Sequence, residues 1–104
     1  MPVVLDVDRA RAIAHMILIH ENILMVLQSP RLNDLLGRLF EPEFRAAAVA
    51  DPFEVARDYG VRLPERSNVY FHNFPDDSWS VEVVVTGSGR STFGYNSGTG
   101  FFVY

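Results

Sequence analysis

The chain has 104 residues, of which 48% are hydrophobic, and it carries a net charge of −4 at pH 7. This length predicts one domain, and the acidic balance argues against nucleic acid or an anionic membrane as the main partner. The sequence contains no cysteine, which excludes disulfides, thiolate catalysis and cysteine-ligated metal sites. Acidic residues near the start argue against a signal peptide, and the first apolar run is too short to span a bilayer. We therefore expect a cytoplasmic protein.

The first predicted helix is unusually apolar. Asp8 is a suitable N-cap, and the helix is expected to run to about Gln28. Its apolar residues cover more than one stripe, which predicts burial on most sides. Either the rest of the domain wraps this helix, or a second copy or another partner covers what remains, because a small domain has few elements to cover it. Ile17 and Leu24 are therefore predicted partner-binding residues, and a homodimer is one expectation.

Two helices are predicted to follow. Ser29-Pro30 has the form of a helix start, with serine as the N-cap and proline at the first helical position. We predict a helix over Arg31–Phe40 and a further short helix over Glu43–Ala50. Phe44 is the large apolar residue of the latter.

Asp51 and Glu54 have the spacing of a capping box, in which each side chain binds the backbone amide of the other residue. They predict the start of a fourth helix. Gly60 is expected to end that helix in the left-handed conformation, because glycine adopts positive φ without steric cost. Pro64 then prevents helix from resuming.

The next segment alternates between apolar and polar residues, which is typical of strands. Asn68–Phe74 and Trp79–Val85 predict a hairpin with turn residues between them. We therefore predict an α+β fold in which N-terminal helices pack on a small C-terminal antiparallel sheet. The hairpin offers an edge for strand addition to a partner. Its apolar face supplies further predicted partner-binding residues, namely Val69, Phe71, Trp79, Val81 and Val83.

Residues 87–104 form a tail rich in glycine, serine, threonine and aromatic residues. One alternative is that Arg90–Tyr95 and Phe101–Tyr104 are two more strands joined by residues 96–100. The other is that the tail is an unfolded peptide appended to a domain of residues 1–86. We favour strands, because five aromatic residues left in water would promote aggregation.

The polar residues do not form a recognisable catalytic or metal-binding pattern. His15 and His20 are five positions apart, whereas a pair of metal ligands on a helix needs a spacing of three or four. Asp76 and Asp77 lack the loop spacing of a calcium site, and the glycine-x-serine-x-glycine turn of a serine hydrolase is not found. We expect no catalytic residue, no metal and no cofactor, and hence no enzyme.

One part of the chain resembles the α subunit of nitrile hydratase. The resemblance rests on matching residues between positions 42 and 65, namely Pro42, Glu43, Phe44, Arg45, Ala50, Asp51, Tyr59, Gly60, Pro64 and Glu65. In that family a Cys-x-x-Cys-Ser-Cys motif holds the metal, but residues 81–85 of this chain, at the corresponding region, are Val-Glu-Val-Val-Val. No metal ligand carries over, so the resemblance does not imply nitrile hydration.

A second resemblance is to the nitrile-hydratase-like leader peptides of ribosomally made natural products. It rests on the Ala50-Asp51-Pro52 step and on Gly60 followed by Leu63-Pro64. In such precursors a modifying enzyme recognises the leader and alters a C-terminal core peptide. The resemblance implies a leader-like domain of residues 1–86, a candidate core peptide at 87–104 and a modifying enzyme as partner. The candidate modified residues are Ser88, Ser91, Thr92, Ser97 and Thr99.

Two functions follow from this sequence. In the first, the chain is a precursor peptide whose leader is recognised by a modifying enzyme. In the alternative, it is a non-catalytic homo-oligomeric binding or assembly protein with a hydrophobic helix interface.

Overall fold

The structure, a computed structural model, describes residues 20–87 and 90–103. Residues 20–27 are helical and are labelled α1. The elements that follow are α2 (Leu32–Arg38), α3 (Pro42–Ala50), α4 (Pro52–Asp58), β1 (Ser67–Asn73), β2 (Trp79–Val85), β3 (Ser91–Asn96) and β4 (Gly100–Val103). The strands form one antiparallel sheet in the order β1-β2-β3-β4. The predicted α+β fold, with helices preceding an antiparallel sheet, is confirmed.

The hydrophobic core lies between the helices and one face of the sheet. Ala48 of α3 and Ala56 of α4 are completely buried, and α3 and α4 make the main contacts with β1. The small side chains of these alanines allow the helices to approach the sheet closely. The large side chains of the core include Leu35, Leu39, Tyr59, Phe71, Trp79 and Phe93.

The tail forms strands in this structure. β3 pairs with β2 from Val85↔Ser91 to Ser80↔Asn96, and β4 pairs with β3 from Phe93↔Val103 to Asn96↔Gly100. The turn between them is closed by the Asn96 side chain, whose Oδ1 accepts the amides of Gly98 (2.8 Å) and Thr99 (3.2 Å). Of the two alternatives for residues 87–104, the strand arrangement is therefore the one observed in the range 91–103.

Gly60 ends α4 as predicted. Its φ is +62°, and its N–H donates to the Arg57 carbonyl (2.9 Å) while the Val61 N–H donates to the Ala56 carbonyl (2.9 Å). These two bonds satisfy carbonyls that the helix end would leave without partners. They also turn the chain toward β1.

The predicted capping box is half correct. Asp51 Oδ1 accepts the Glu54 N–H at 3.3 Å, so Asp51 is the N-cap of α4. The Glu54 side chain does not return the bond, because the Asp51 N–H donates to the Ala47 carbonyl of the preceding helix. Hydrogen bonding with the Asp51 carboxyl group, together with the negative charges of Asp51 and Asp58, raises the pKa of Glu54.

The prediction that Ser29 caps the second helix is wrong. α2 begins at Leu32, and its N-cap residue Arg31 makes no side-chain cap bond. Ser29 is buried, and its Oγ accepts the Arg62 N–H at 2.7 Å. The physical reason is that Arg62 follows α4 without a helix or strand partner for its amide, so the buried hydroxyl satisfies that donor instead.

In the β1–β2 turn, hydrogen bonds from Ser78 lower the pKa of the Asp76 carboxyl group. Asp76 Oδ1 accepts hydrogen bonds from the hydroxyl and the amide of Ser78, the latter at 3.0 Å. The side-chain bond, followed by the backbone bond, holds the pKa of Asp76 below its ordinary value.

We expect Ser78→Ala to raise the pKa of Asp76, measured by carboxyl-carbon NMR during an acid titration. A lowered folded-state pKa means that the carboxylate stabilises the fold above its unfolded pKa of about 3.9. That contribution is lost as the pH falls through the folded value. The stability difference between Ser78→Ala and wild type is therefore expected near neutral pH and should vanish in strong acid. Ser67→Ala is the control, because its hydroxyl binds the Pro64 carbonyl; an equal shift in both variants would contradict this account.

Within residues 20–87 and 90–103, no helix is both long enough and apolar enough to cross a membrane.

Candidate functional site

Exposed apolar side chains occur on several of the described elements, among them α1 and β4. Leu24 and Leu27 of α1 are 42% and 46% exposed, and Phe101 and Val103 of β4 are 68% and 53% exposed. Leu24 and Leu27 are one helical turn apart and share one face of α1. Leu27 and Phe101 line the same cleft. We refer to these four residues as the α1–β4 surface.

The described part of α1 is buried on one side. Asn22 and Val26 are buried and Ile23 is half-buried, whereas Leu24 and Leu27 are exposed. The alternative in which the rest of the domain wraps this helix is therefore wrong for residues 20–27, because the described elements pack against only one of its faces. The alternative in which a second copy or another partner covers the remaining face stays a prediction.

The cleft between α1 and the sheet is apolar and small. Its lining includes Ile23, Leu27, Leu36, Val81, Tyr95 and Phe101. The cavity volume is about 60 Å³, whereas pockets for small organic ligands usually measure about 300–1,000 Å³. The shape and lining therefore suit contact with apolar side chains rather than enclosure of a metabolite.

A row of aromatic rings connects the core to β4. The ring centroids are 5.3 Å apart for Phe40–Trp79, 5.7 Å for Trp79–Tyr95 and 5.0 Å for Tyr95–Phe101. Trp79 is almost completely buried, and its indole N–H has no hydrogen-bond partner within the described residues. Edge-to-face and offset aromatic contacts stabilise a fold by about 0.5–1.5 kcal/mol each beyond the area they bury. Phe101 is thus exposed yet packed against Tyr95.

Most of the partner-binding residues predicted on the hairpin lie inside the folded protein. Val69, Phe71, Trp79 and Val83 are buried in the core, so they are not available to a partner in the folded protein, and that prediction is wrong for them. Alternation identifies an apolar face but does not say that α2, α3 and α4 cover it. Val81 is half-buried and lines the cleft.

Of the two partner-binding residues predicted on the first helix, Leu24 belongs to the α1–β4 surface. Ile17 lies outside the described residues.

The candidate modification residues differ in accessibility. Ser91 is buried, Thr92 is half-buried and Thr99 is exposed. Ser97 is engaged in the sheet, because its Oγ accepts the Trp79 N–H (2.9 Å) and its own N–H donates to the Trp79 carbonyl (2.9 Å). Ser91 and Ser97 are therefore not free to react in the folded protein, and their modification stays a prediction. Ser88 lies outside the described residues.

Sequence reasoning missed Arg45, which joins the helices to the β1–β2 hairpin. Its side chain is 3% exposed. Nε donates to Asn73 Oδ1 at 3.0 Å, Nη1 donates to the Leu39 carbonyl at 3.1 Å, and Nη2 forms an ion pair with Asp77. The available signal was that Arg45 and Ala48 are three positions apart, so both lie on the same face of α3.

The opposite face of the sheet carries a polar pair. His72 Nε2 and Glu82 Oε1 lie 3.3 Å apart on neighbouring strands, and both side chains are substantially exposed. In the described ranges 20–87 and 90–103, no group of three or more histidine, cysteine, aspartate or glutamate side chains is arranged to hold a metal ion.

Comparison of the chain with protein-family models, with curated proteins and with solved structures finds no match. The resemblance to nitrile-hydratase-like leader peptides stays a prediction.

Proposed function

We propose that the chain is a non-catalytic assembly domain that associates with itself through the α1–β4 surface. The observation that supports this is that Leu27 of α1 and Phe101 of β4 line one apolar cleft and are both exposed. Leu24 and Val103 are exposed on the same two elements. Single exposed apolar residues are common, but apolar residues from two elements around one cleft are typical of protein–protein contact sites.

The charge distribution is compatible with self-association. The four residues that define the α1–β4 surface are apolar, and Glu21 and Arg62, the charged residues that line a groove with Leu24, are of opposite sign. The net charge of −4 gives a weak long-range repulsion between copies, which salt screens. We therefore expect association to strengthen between low and moderate ionic strength.

Sedimentation velocity over a range of protein concentrations tests this proposal. Wild type is expected to sediment faster as concentration rises. Leu24→Glu and Leu27→Glu should each weaken association at least tenfold, because a carboxylate would lose its hydration in the interface. Val49→Glu is the matched control, since Val49 is 45% exposed on α3 and lies outside the α1–β4 surface.

A wild-type protein that remains monomeric at every concentration would contradict the proposal. So would an equal loss of association in Val49→Glu and in the two α1 variants.

The precursor function is the second candidate. It is supported by Thr99, which is exposed in the turn of the last hairpin and is therefore accessible to an enzyme. Modification of Ser91 would first require β3 to separate from β2. Co-expression with a candidate modifying enzyme, followed by mass spectrometry of residues 87–104, tests it. We expect the enzyme to change the mass of the wild-type segment and not that of Thr99→Val. An unchanged mass of the wild-type segment would argue against this function.

A further inference from the structure

We propose that the association occurs by β4 of one copy pairing antiparallel with β4 of a second copy, across a twofold axis at Phe102. This inference rests on the proposed function and identifies the partner and its register. The two sheets would then form one continuous eight-stranded sheet.

The direction of the backbone groups in β3 is the first step. Directly opposed residues of antiparallel strands alternate between pairs that exchange hydrogen bonds and pairs that do not. The Ser97 N–H donates to the Trp79 carbonyl, so position 97 directs its backbone toward β2. By alternation, the N–H and C=O groups of Tyr95 and Phe93 also point toward β2. Those of Gly94 point toward β4.

The same alternation fixes the direction of the groups in β4. Gly94 is opposite Phe102, so Phe102 directs its N–H and C=O toward β3. Phe101 and Val103 therefore direct theirs away from β3. β4 is the last strand of the sheet that the described residues form, and these groups lie along its outer edge.

The register follows from the faces and from these groups together. Phe101 and Val103 lie on the core-facing side of the sheet, since they are opposite Tyr95 and Phe93. Across a twofold axis perpendicular to the sheet, a residue must pair with one that shares its face. With the axis at Phe102, Phe101 of each copy is opposite Val103 of the other copy. Both residues of this pair direct their backbone groups outward, so each pair exchanges two hydrogen bonds.

The chemistry of β4 favours a second copy as the partner. Its sequence, Gly-Phe-Phe-Val, lacks the charges and prolines with which natural edge strands prevent pairing. In the proposed register every cross-strand pair is apolar, and a twofold axis makes each contact twice. A four-residue strand buries less than the roughly 1,200 Å² of a stable interface, so we expect a concentration-dependent dimer.

A charge-swap series tests the register. Phe101→Arg and Val103→Asp each place two like charges near the axis without a counter-charge, and each is expected to raise the dimer dissociation constant at least tenfold. The double variant Phe101→Arg/Val103→Asp places each arginine opposite an aspartate of the other copy, and it is expected to return within about threefold of wild type. Both side chains are more than half exposed, so the variants should fold, which circular dichroism checks.

Sedimentation equilibrium on the four proteins separates this inference from the proposed function. A double variant as weak as the single variants would overturn the register. A second result is a wild-type dimer with a dissociation constant that Leu24→Glu changes and the β4 variants do not. That result would contradict the pairing of β4 but support the assembly function. If wild type never dimerises, both fall.

Discussion

Replacing Arg45 with methionine is expected to lower the free energy of unfolding by about 3 kcal/mol, because buried acceptors lose a charged donor. Methionine is long enough to fill much of the space but donates no hydrogen bond. The Leu39 carbonyl, which Arg45 binds at 3.1 Å in a buried position, is then left without this partner. Asn73 and Asp77 of the hairpin lose their connection to α3. Urea unfolding, followed by tryptophan fluorescence, measures the change.

Two matched variants show which bonds matter. Asp77→Asn should cost less, about 1 kcal/mol or below, because the Asp77 side chain is 75% exposed and its ion pair is screened by solvent. Arg57→Met changes an exposed arginine of α4 and should stay within about 0.5 kcal/mol of wild type. An unchanged midpoint for Arg45→Met would show that the buried network does not stabilise the fold.

Gly94→Ala is the second large effect that we expect, with a loss of about 3 kcal/mol or more. A Cβ at position 94 would overlap the Val81 carbonyl oxygen and lie 2.7 Å from Phe102 Cζ. The phenyl ring can turn away, but the carbonyl belongs to the β2 backbone, so the strands must shift. Since Phe102 and its neighbours form β4, the variant is also expected to weaken self-association.

Gly37→Ala is the control for Gly94→Ala. Gly37 lies within α2, and nothing lies within 4 Å of a Cβ placed there. Alanine has the higher helix propensity, so this change should stabilise the fold by up to about 1 kcal/mol. The two substitutions are therefore expected to have opposite signs in thermal or urea unfolding. Equal destabilisation by both would mean that close approach at Gly94 is not the cause.

Features set by neighbouring residues were predictable from the sequence. β2 spans Trp79–Val85 as the alternation indicated, and Gly60 ends α4 because a left-handed residue after a helix favours glycine. Both depend on the conformational preferences of a few consecutive residues, and tertiary packing did not override those preferences.

Features set by distant contacts were not predictable in the same way. Arg45 binds residues that are 6, 28 and 32 positions away, and no local pattern indicates that an arginine will be buried. Similarly, the alternation of Val69 and Phe71 indicates an apolar face, but only the fold shows that helices cover it. At the α1–β4 surface the sequence indicated Leu24 but not Phe101, because the exposure of Phe101 depends on β4 lying at the edge of the sheet that the described residues form.

Amide hydrogen exchange at several protein concentrations tests the central claim most directly. If two copies pair along β4, the amides of Phe101 and Val103 should exchange several-fold more slowly as the concentration rises, because they become hydrogen-bonded across the interface. The Phe102 amide, which points toward β3, should be far less sensitive to concentration. Exchange at Phe101 and Val103 that stays the same from dilute to concentrated protein would contradict the account.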